Sequence, residues 1–489
     1  MPGVITNYAS RCSRPASTET LMESKPGGNL HMLFFPLMTK GHILPMVEIA
    51  KLFAARGVVV TLLTTPANAT LISLQDSSIR LHLIPIAENG VTVSDDFATL
   101  LDSVATLRLP FDEILRDLSP DCVVSDFFMP WTYDVAFAHG VPRLVFDGFS
   151  FFTRCLEDAY LKQNPMHDLA PDAQTFVLHS LPDRFEFLRS QFPDPDEFAK
   201  NTTLCRIWNE ALEVNRKSYG AVVNSFYELE PDYAEYFRNV MGGKAWGVGP
   251  VSLSNDKNTN EESHDLFKWL DSQKEGSVVY MCFGTMSDFS AAQLMEMAIG
   301  LERSGHPFVW AVRSAGEDWI PQGFEGRIQE RGLVIRGWAP QSLILNHASV
   351  GGFVTHCGWN SCLEGIVAGL AMATWPLFAE QFYNEKQLID LLGIGVAVGA
   401  IEYGMVTEQR KVVAAGMLEA AVRRLMAEDE EADERRRRAR ALSVKARRAL
   451  EKGGSSYNDI SAFGIREHSK TCLNFGFVCL GVQFQVFHK

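Results

Sequence analysis

From residue 31 to residue 398 the chain alternates short β-branched runs with amphipathic stretches of helical period, and few folds accommodate that rhythm. Strand, helix, strand, repeated in this way, is the pattern of parallel βαβ units. The first half carries runs at His31–Pro36, Val58–Thr64, Leu81–Pro85, Asp121–Ser125, Arg143–Phe146 and Ala221–Asn224. The second half carries them at Ser277–Phe283, Phe308–Val312, Leu333–Arg336, Val350–Val354, Met372–Trp375 and Gly395–Val398. Each set predicts its own doubly wound sheet. The expected fold class is therefore α/β, with two doubly wound domains facing across a cleft. A chain of 489 residues is too long for one ordinary core and suits two domains of roughly 200 residues each.

Between the two sets, Gly249 and Pro250 lead into a polar run, Ser254 to Ser263, that cannot bury itself. The expected division is a disordered extension at 1–28, an N-terminal domain at 29–248, a linker at 249–265 and a C-terminal domain at 266–448. A helix at 449–468 returning toward the first domain and a tail at 469–489 complete it. The acidic-then-basic block from Asp429 to Arg440 reads as a solvated helix face with i,i+4 pairs.

A net charge of −14 argues against nucleic acid as a partner, because binding a polyanion needs a basic face. Any anionic ligand must be met locally. Cys12, Cys122, Cys155, Cys205, Cys282, Cys357, Cys362, Cys472 and Cys479 are odd in number and include no C-x-x-C pair, so reduced thiols and a cytoplasmic location are expected, without a zinc site. The first 28 residues lack the apolar core of a secretory signal. No stretch reaches the ~20 apolar residues of a membrane helix, since Asn474, Gln483 and Gln485 interrupt Thr471–Phe487. Integral membrane association is not expected, and a monomer is.

In open parallel sheets ligands bind beyond the carboxyl ends of the strands, so polar residues just after an apolar run carry information. His42 follows the first run at a helix start placed near Met46. Imidazole suits proton abstraction near neutral pH, and a helix N-terminus disfavours its charged form. The alternative is a loop histidine that caps the helix. Asp126 ends the run Asp121–Ser125, where a carboxylate can fix an imidazole tautomer and stabilise the imidazolium. Its alternative is an N-cap for a helix through Trp131–Phe137. The third place is the densest. A strand ending at Thr355 runs through His356 to Ser361 into a helix whose N-terminus can hold a diphosphate. Glu364 lies one turn after Asn360, where a carboxylate can accept from both ribose hydroxyls, and Trp338 offers a flat face for a base.

From Trp338 to Gln381 the chain resembles the 44-residue signature box of plant family-1 UDP-dependent glycosyltransferases, without a gap. The resemblance spans roughly residues 30 to 465, with Gly41, His42 and Pro45 in a Gly-His-x-x-Pro start, the Ser125–Phe128 loop, Val223–Glu230 and Val278–Thr285. Phe34–Met38, Ile49–Phe53, Glu317–Trp319 and Phe378–Glu385 look like the branch that acts on coumarins, flavonoids and triterpenoid or steroidal aglycones.

The resemblance implies two Rossmann-like domains of the GT-B arrangement, an acceptor-binding first domain and a UDP-sugar-binding second. It implies His42 as general base with Asp126 as partner, and Trp338 on uracil with Ala339 and Gln341 in the nucleoside site. It further implies Glu364 on the ribose, and Thr285, His356, Asn360 and Ser361 on the diphosphate. Trp359, Glu380 and Gln381 would contact the sugar, the glutamine being the family's usual mark of a glucose donor. UDP-glucose is then a co-substrate, and no cofactor or metal is expected. The expected reaction is a single inverting displacement onto a hydroxyl of a small apolar acceptor, with His356 and the helix N-terminus carrying the leaving-group charge. The acceptor pocket would be lined by Phe128, Trp131, Phe149 and Phe152, with Phe127 and Phe151 nearby.

Four departures from the family pattern stand out: Asp147 and Phe149 replace the branch's His and Thr, Ala371 replaces a Pro, residues 1–28 precede the usual start, and the pattern is lost after about Ser461. Three rivals compete with this reading. Gly393, Gly395 and Gly399 have a suggestive dinucleotide spacing but lack the flanking strand and helix. Asp194-Pro-Asp196 spells a metal-binding D-x-D in a Pro-rich loop. A catalytically weakened sugar-nucleotide-binding protein is the non-enzyme alternative, motivated by Phe149.

Overall fold

The computed structural model describes residues 29–464 except 73, 75–77, 85–96, 170–172, 195–201, 255–263, 286, 314–318 and 408–409. The extension, most of the polar linker run and the tail lie outside the described residues. Fifteen strands occur among them: β1 (His31–Phe35), β2 (Val59–Thr64), β3 (Arg80–Leu83), β4 (Cys122–Asp126), β5 (Arg143–Phe146), β6 (Thr175–Leu178), β7 (Phe185–Leu188), β8 (Gly220–Val223), β9 (Ala245–Gly247), β10 (Val278–Cys282), β11 (Phe308–Val312), β12 (Gly332–Arg336), β13 (Val350–Thr355), β14 (Ala371–Thr374) and β15 (Gly395–Ala397).

The first sheet runs β3-β2-β1-β4-β5-β8-β9 and the second β12-β11-β10-β13-β14-β15, with all recorded pairings within both parallel. All the predicted runs are strands, with ends displaced by a residue or two. Their apolar continuity follows from burial on both faces, the rule for parallel sheets. Along β1, Met32 and Phe34 join the cluster of Ile43, Met46 and Phe53, while Leu33 and Phe35 join that of Phe111, Leu115 and Val123. In β10, Val278 and Tyr280 divide from Val279 and Met281 in the same way. One period-two strand thus binds a helical layer on each side.

Three strands are additions to the sequence reading. β6 and β7 form a separate antiparallel hairpin, and β9 is a three-residue edge strand too short to register as a run. The hairpin does carry a signal, since Phe185 and Phe187 are inward while Glu186 is exposed. It packs between the halves, with Phe187 and Phe192 against Tyr383 at ring distances of 5.5 and 5.6 Å. The helix Gln381–Lys386 and the turn after it dock on the helix Phe151–Gln163. There the Thr153 hydroxyl donates to Asn384 Oδ1 at 3.0 Å and Gln387 Nε2 donates to the buried Glu230 at 3.0 Å. The helix Ser455–Gly464 lies on the first half, Phe463 packing on Phe53 and Trp246 and the Ser456 hydroxyl donating to the Gly249 carbonyl at 2.6 Å. The acidic-basic block is the helix Glu430–Leu450, capped by Asp429 and laced by Arg435–Glu431 and Arg438–Glu434. Among the described residues no helix is long and apolar enough to cross a membrane.

Strand order reverses between β1 and β4 and again between β10 and β13. Chain leaving adjacent strands there turns in opposite directions and opens a crevice, so each sheet supplies one binding edge. At the first edge the backbone is braced by Arg143, which is 2% exposed. Its guanidinium donates to the Ser125 and Thr132 hydroxyls, Asn215 Oδ1, the Ser218 hydroxyl and the carbonyl of Asp126, at 2.7 to 3.0 Å. Burial lowers its pKa to about 10, which leaves it charged at neutral pH. Arg143→Met strands these acceptors and should cost ~2–4 kcal/mol, read as a lower urea midpoint at unchanged slope. An unaltered midpoint would show that Arg143 does not brace the edge.

Candidate functional site

The helix after β1 begins at Lys40, six residues before the expected start, and contains Pro45. Thr39 takes the cap position without a side-chain bond, and His42 sits in the first turn with its N–H on the Thr39 carbonyl at 3.1 Å. His42 Nδ1 lies 2.8 Å from Asp126 Oδ2. Asp126 is fully buried, and its other oxygen accepts the Phe128 N–H at 3.1 Å. It does not cap the helix Trp131–Ala138, whose cap position is Pro130. Both capping alternatives therefore fall away.

An ionised carboxylate only accepts, so the imidazole proton belongs on Nδ1 and the Nε2 lone pair is left for a ligand. Burial pulls the His42 pKa down, but Coulomb attraction and the hydrogen bond from Asp126, helped by Glu380 and Asp147, outweigh it. The net shift is upward from 6.5. The helix-terminus argument gave the opposite direction; a carboxylate in contact is stronger than a partial charge.

Across the crevice, β13 ends at Thr355 and the chain passes through His356, Cys357 and Gly358 into the helix Trp359–Ala368. The His356 ring lies between two glycines. A Cβ on Gly284 would stand 2.8 Å from it, and one on Gly358 2.5 Å. Burial lowers the His356 pKa to about 4, and its Nδ1 has no hydrogen-bond partner within the protein. The ring is therefore neutral at neutral pH and offers a single N–H. Cap position Gly358 offers no side chain, so the first-turn N–H groups are not capped from within.

Gln341 Nε2 donates to Ser361 Oγ at 3.0 Å and to Glu364 Oε2 at 2.5 Å, gathering three of the expected donor-site residues. Burial raises Glu364 to about 7. Trp338 is 69% exposed beside buried Ala339. Thr285 is exposed just beyond β10. Burial raises the pKa of Glu380, which accepts the Trp359 N–H and a bond from Asn384. Gln381 Oε1 accepts the N–H groups of Leu377 and Phe378 at 2.8 and 3.1 Å, fixing its amide.

Two expected donor contacts are otherwise engaged. The Trp359 indole is 2% exposed and donates to the Asn224 carbonyl at 2.7 Å, and Asn360 Nδ2 donates to the Gly41 carbonyl at 3.0 Å. Both reach the first half.

Aromatic rings line the His42 side. Phe128 meets the His42 ring edge-on at 6.1 Å, Phe97 at 5.0 Å and Trp208 at 6.0 Å, while Phe149 lies 6.4 Å from Phe127. Phe97, Phe128, Phe149 and Trp208 are half-buried. Trp131 and Phe152, expected in this lining, belong to the core instead. Phe152 is fully buried against Phe185 and Tyr233, and Trp131 packs on Phe35 and Phe111. Ser150 caps the helix Phe151–Gln163, and that phase turns Phe151 and Phe152 inward. Phe97 and Trp208 were missed. Trp208 stands on an apolar stripe with Leu204, Ile207 and Ala211 at helical spacing, which is the signal that could have found it.

Gly395 opens an edge strand, and the next α-helix among the described residues, Ala415–Leu425, begins well beyond Gly399, so the three glycines do not form a strand-to-helix turn. Asp194 is exposed and Asp196 lies outside the described residues. Among the described residues, no group of three or more His, Cys, Asp or Glu could hold a metal ion, and Cys122, Cys155, Cys205, Cys282, Cys357 and Cys362 are free thiols.

The family model for UDP-glucoronosyl and UDP-glucosyl transferase matches residues 248–424. The chain is 44% identical to anthocyanin 3'-O-beta-glucosyltransferase of Gentiana triflora over 469 residues, 88% of this chain and 97% of that one. To scopoletin glucosyltransferase of Nicotiana tabacum it is 42% identical over 481 residues, 90% and 100% of the two chains. Among solved structures it matches Glycyrrhiza uralensis UGT73P12, complexed with glycyrrhetinic acid 3-O-monoglucuronide, with a TM-score of 0.81, 36% identity and coverage of 89% and 95%. It also matches Medicago truncatula UGT71G1, complexed with UDP-glucose, with a TM-score of 0.74, 28% identity and coverage of 89% and 97%. Two facing parallel-sheet domains, a ligand edge on each, and likeness along nearly the whole length lead to one conclusion: this chain is a plant-type UDP-glycosyltransferase of the GT-B fold, a member of the UDP-glucoronosyl and UDP-glucosyl transferase family.

Proposed function

We propose that the enzyme transfers glucose from UDP-glucose to a hydroxyl of a small, largely apolar plant metabolite, with His42 as general base and inversion at the anomeric carbon. The observation that carries this reading is the His42–Asp126 pair, 2.8 Å apart at the switch point of the first sheet. Nε2 takes the acceptor proton while the acceptor oxygen attacks the anomeric carbon and the bond to UDP breaks. Asp126 stabilises the imidazolium so formed. The diphosphate leaves against the first-turn N–H groups of Trp359–Ala368 and the neutral His356 N–H, which act by dipole and hydrogen bond. One displacement turns the α-linked donor into a β-glucoside.

The acceptor class follows from the lining. Phe128 meets the base edge-on, Phe97 and Trp208 pack on Phe128, and Phe149 packs on Phe127; this ring surface, whose polar hydrogen is the Trp208 indole N–H, favours flat or polycyclic molecules. The names of the relatives, anthocyanin and scopoletin glucosyltransferases, point the same way. Incubation with UDP-glucose and a panel of flavonoid, coumarin and triterpenoid aglycones should yield O-glucosides with the large anomeric proton coupling of a β-linkage. His42→Ala should lower kcat about 10²–10⁴-fold while UDP affinity stays nearly unchanged. An α-linked product, or a His42→Ala enzyme that keeps most of its rate, would overturn the mechanism.

Donor choice rests on Gln381. With its oxygen held by two backbone donors, its amide N–H2 is the end available to a sugar hydroxyl. Wild type should prefer UDP-glucose to UDP-galactose, and Gln381→His should shift the kcat/KM ratio toward galactose. Wild-type preference for UDP-galactose would sink the assignment.

A further inference from the structure

Asn224 follows β8 on the first half, 1% exposed, in the Val223–Glu230 segment to which neither ligand site assigns a role. Three polar groups of this one residue are in use. Its carbonyl accepts the Trp359 indole N–H at 2.7 Å, its Nδ2 donates to Asn360 Oδ1 at 3.4 Å, and its Oδ1 accepts the Val251 N–H at 3.2 Å. The last bond fixes the amide's orientation. Gly249 closes over it so tightly that a Cβ there would lie 2.5 Å from Asn224 Oδ1.

Asn360 passes the connection on, donating to the Gly41 carbonyl at 3.0 Å. That carbonyl is available for a reason legible in the sequence. Within the helix Lys40–Ala54 it would accept the N–H of residue 45, and residue 45 is proline, which has none. The residue next to the base thus presents an open acceptor to the donor half. The first two residues of the donor-side helix, which has no side-chain cap of its own, are tied to the other half, Trp359 through the Asn224 carbonyl and Asn360 through the Asn224 amide and the Gly41 carbonyl.

We propose that Asn224 is a positioning residue for the donor site: from the acceptor half, without touching the donor, it holds Trp359 and Asn360 so that the helix N-terminus faces the diphosphate in register with His42. The proposal rests on the reading that UDP binds at this helix N-terminus. Donor grip should then depend on Asn224, while acceptor binding should not.

The test uses the full chain and UDP itself as probe, measured by titration calorimetry, with steady-state kinetics and thermal midpoints alongside. Asn224→Ala removes the two side-chain bonds, to Asn360 and Val251, and leaves the backbone carbonyl's bond to Trp359, so it tests the hold on Asn360. Asn224→Asp keeps the acceptor for Val251 but loses the hydrogen for Asn360, and it remains informative if the alanine variant does not fold. Each variant should weaken UDP binding and raise the UDP-glucose KM by about 5–10-fold, with acceptor KM within twofold of wild type. A merely structural role would lower the thermal midpoint and leave UDP affinity alone. Glu364→Ala is the control. If it weakens UDP binding while both folded Asn224 variants bind UDP within twofold of wild type, the positioning role is overturned and the donor site stands. If Glu364→Ala also leaves UDP binding unchanged, the donor-site reading falls and takes the proposal with it.

Discussion

His42 and Asp126 leave adjacent strands, β1 and β4, at the place where the first sheet reverses its order, and their 2.8 Å contact is what the surrounding structure keeps in place. Each supporting element has a physical reason. β4 is buried throughout, so its terminal carboxylate has no water to turn to and is held by the Phe128 N–H and the imidazole. Arg143 grips the carbonyl of the same residue from below. The neighbouring helix brings His42 in its first turn, where the backbone is fixed by the Thr39 carbonyl. Proline one turn later leaves the Gly41 carbonyl for Asn360, so the helix that carries His42 is tied to the second half.

On the proposed reading, a chain of net charge −14 meets a diphosphate by local means. Of the nearby carboxylates, Glu364 is raised by burial to about 7 and so carries less than a full charge at neutral pH. His356 contributes a neutral donor, its ring fitted between two glycines. The favourable term is the helix start after Gly358, whose N–H groups act as fixed dipoles that need no reorganisation when charge arrives. Such a site works by being pre-aligned. That is why the alignment of Trp359 and Asn360 from outside matters.

The sheets were legible in the sequence because a parallel strand buried on both faces is a continuous apolar run, and the polar residue ending each run falls at the ligand edge. His42, Asp126, Glu364 and Gln341 were expected on that ground or by resemblance, and the structure brings the first two, and the last two, into contact. What stayed hidden depends on helix phase and long-range pairing. Phe152 looked like pocket lining until the Ser150 cap fixed the rotation of its helix and turned it toward Phe185. Trp208 looked like one more residue of an amphipathic helix, yet it reaches Phe128 from 80 residues away in sequence. Trp359 and Asn360 matched the donor motif, while their side-chain partners, Asn224 and Gly41, lie in the other half and follow no local rule.

The pH dependence of kcat/KM tests the central claim most directly. A base must be unprotonated in the free enzyme, so below the His42 pKa the rate falls about tenfold per pH unit. Asp126 raises that pKa above 6.5, so the wild-type acid limb should break above 6.5. In Asp126→Asn the raising charge is gone, and the limb should move to lower pH even as the maximal rate drops. A wild-type profile flat down to pH 5.5, or an acid limb in the same place in Asp126→Asn, would contradict the account of His42 as a base tuned by Asp126.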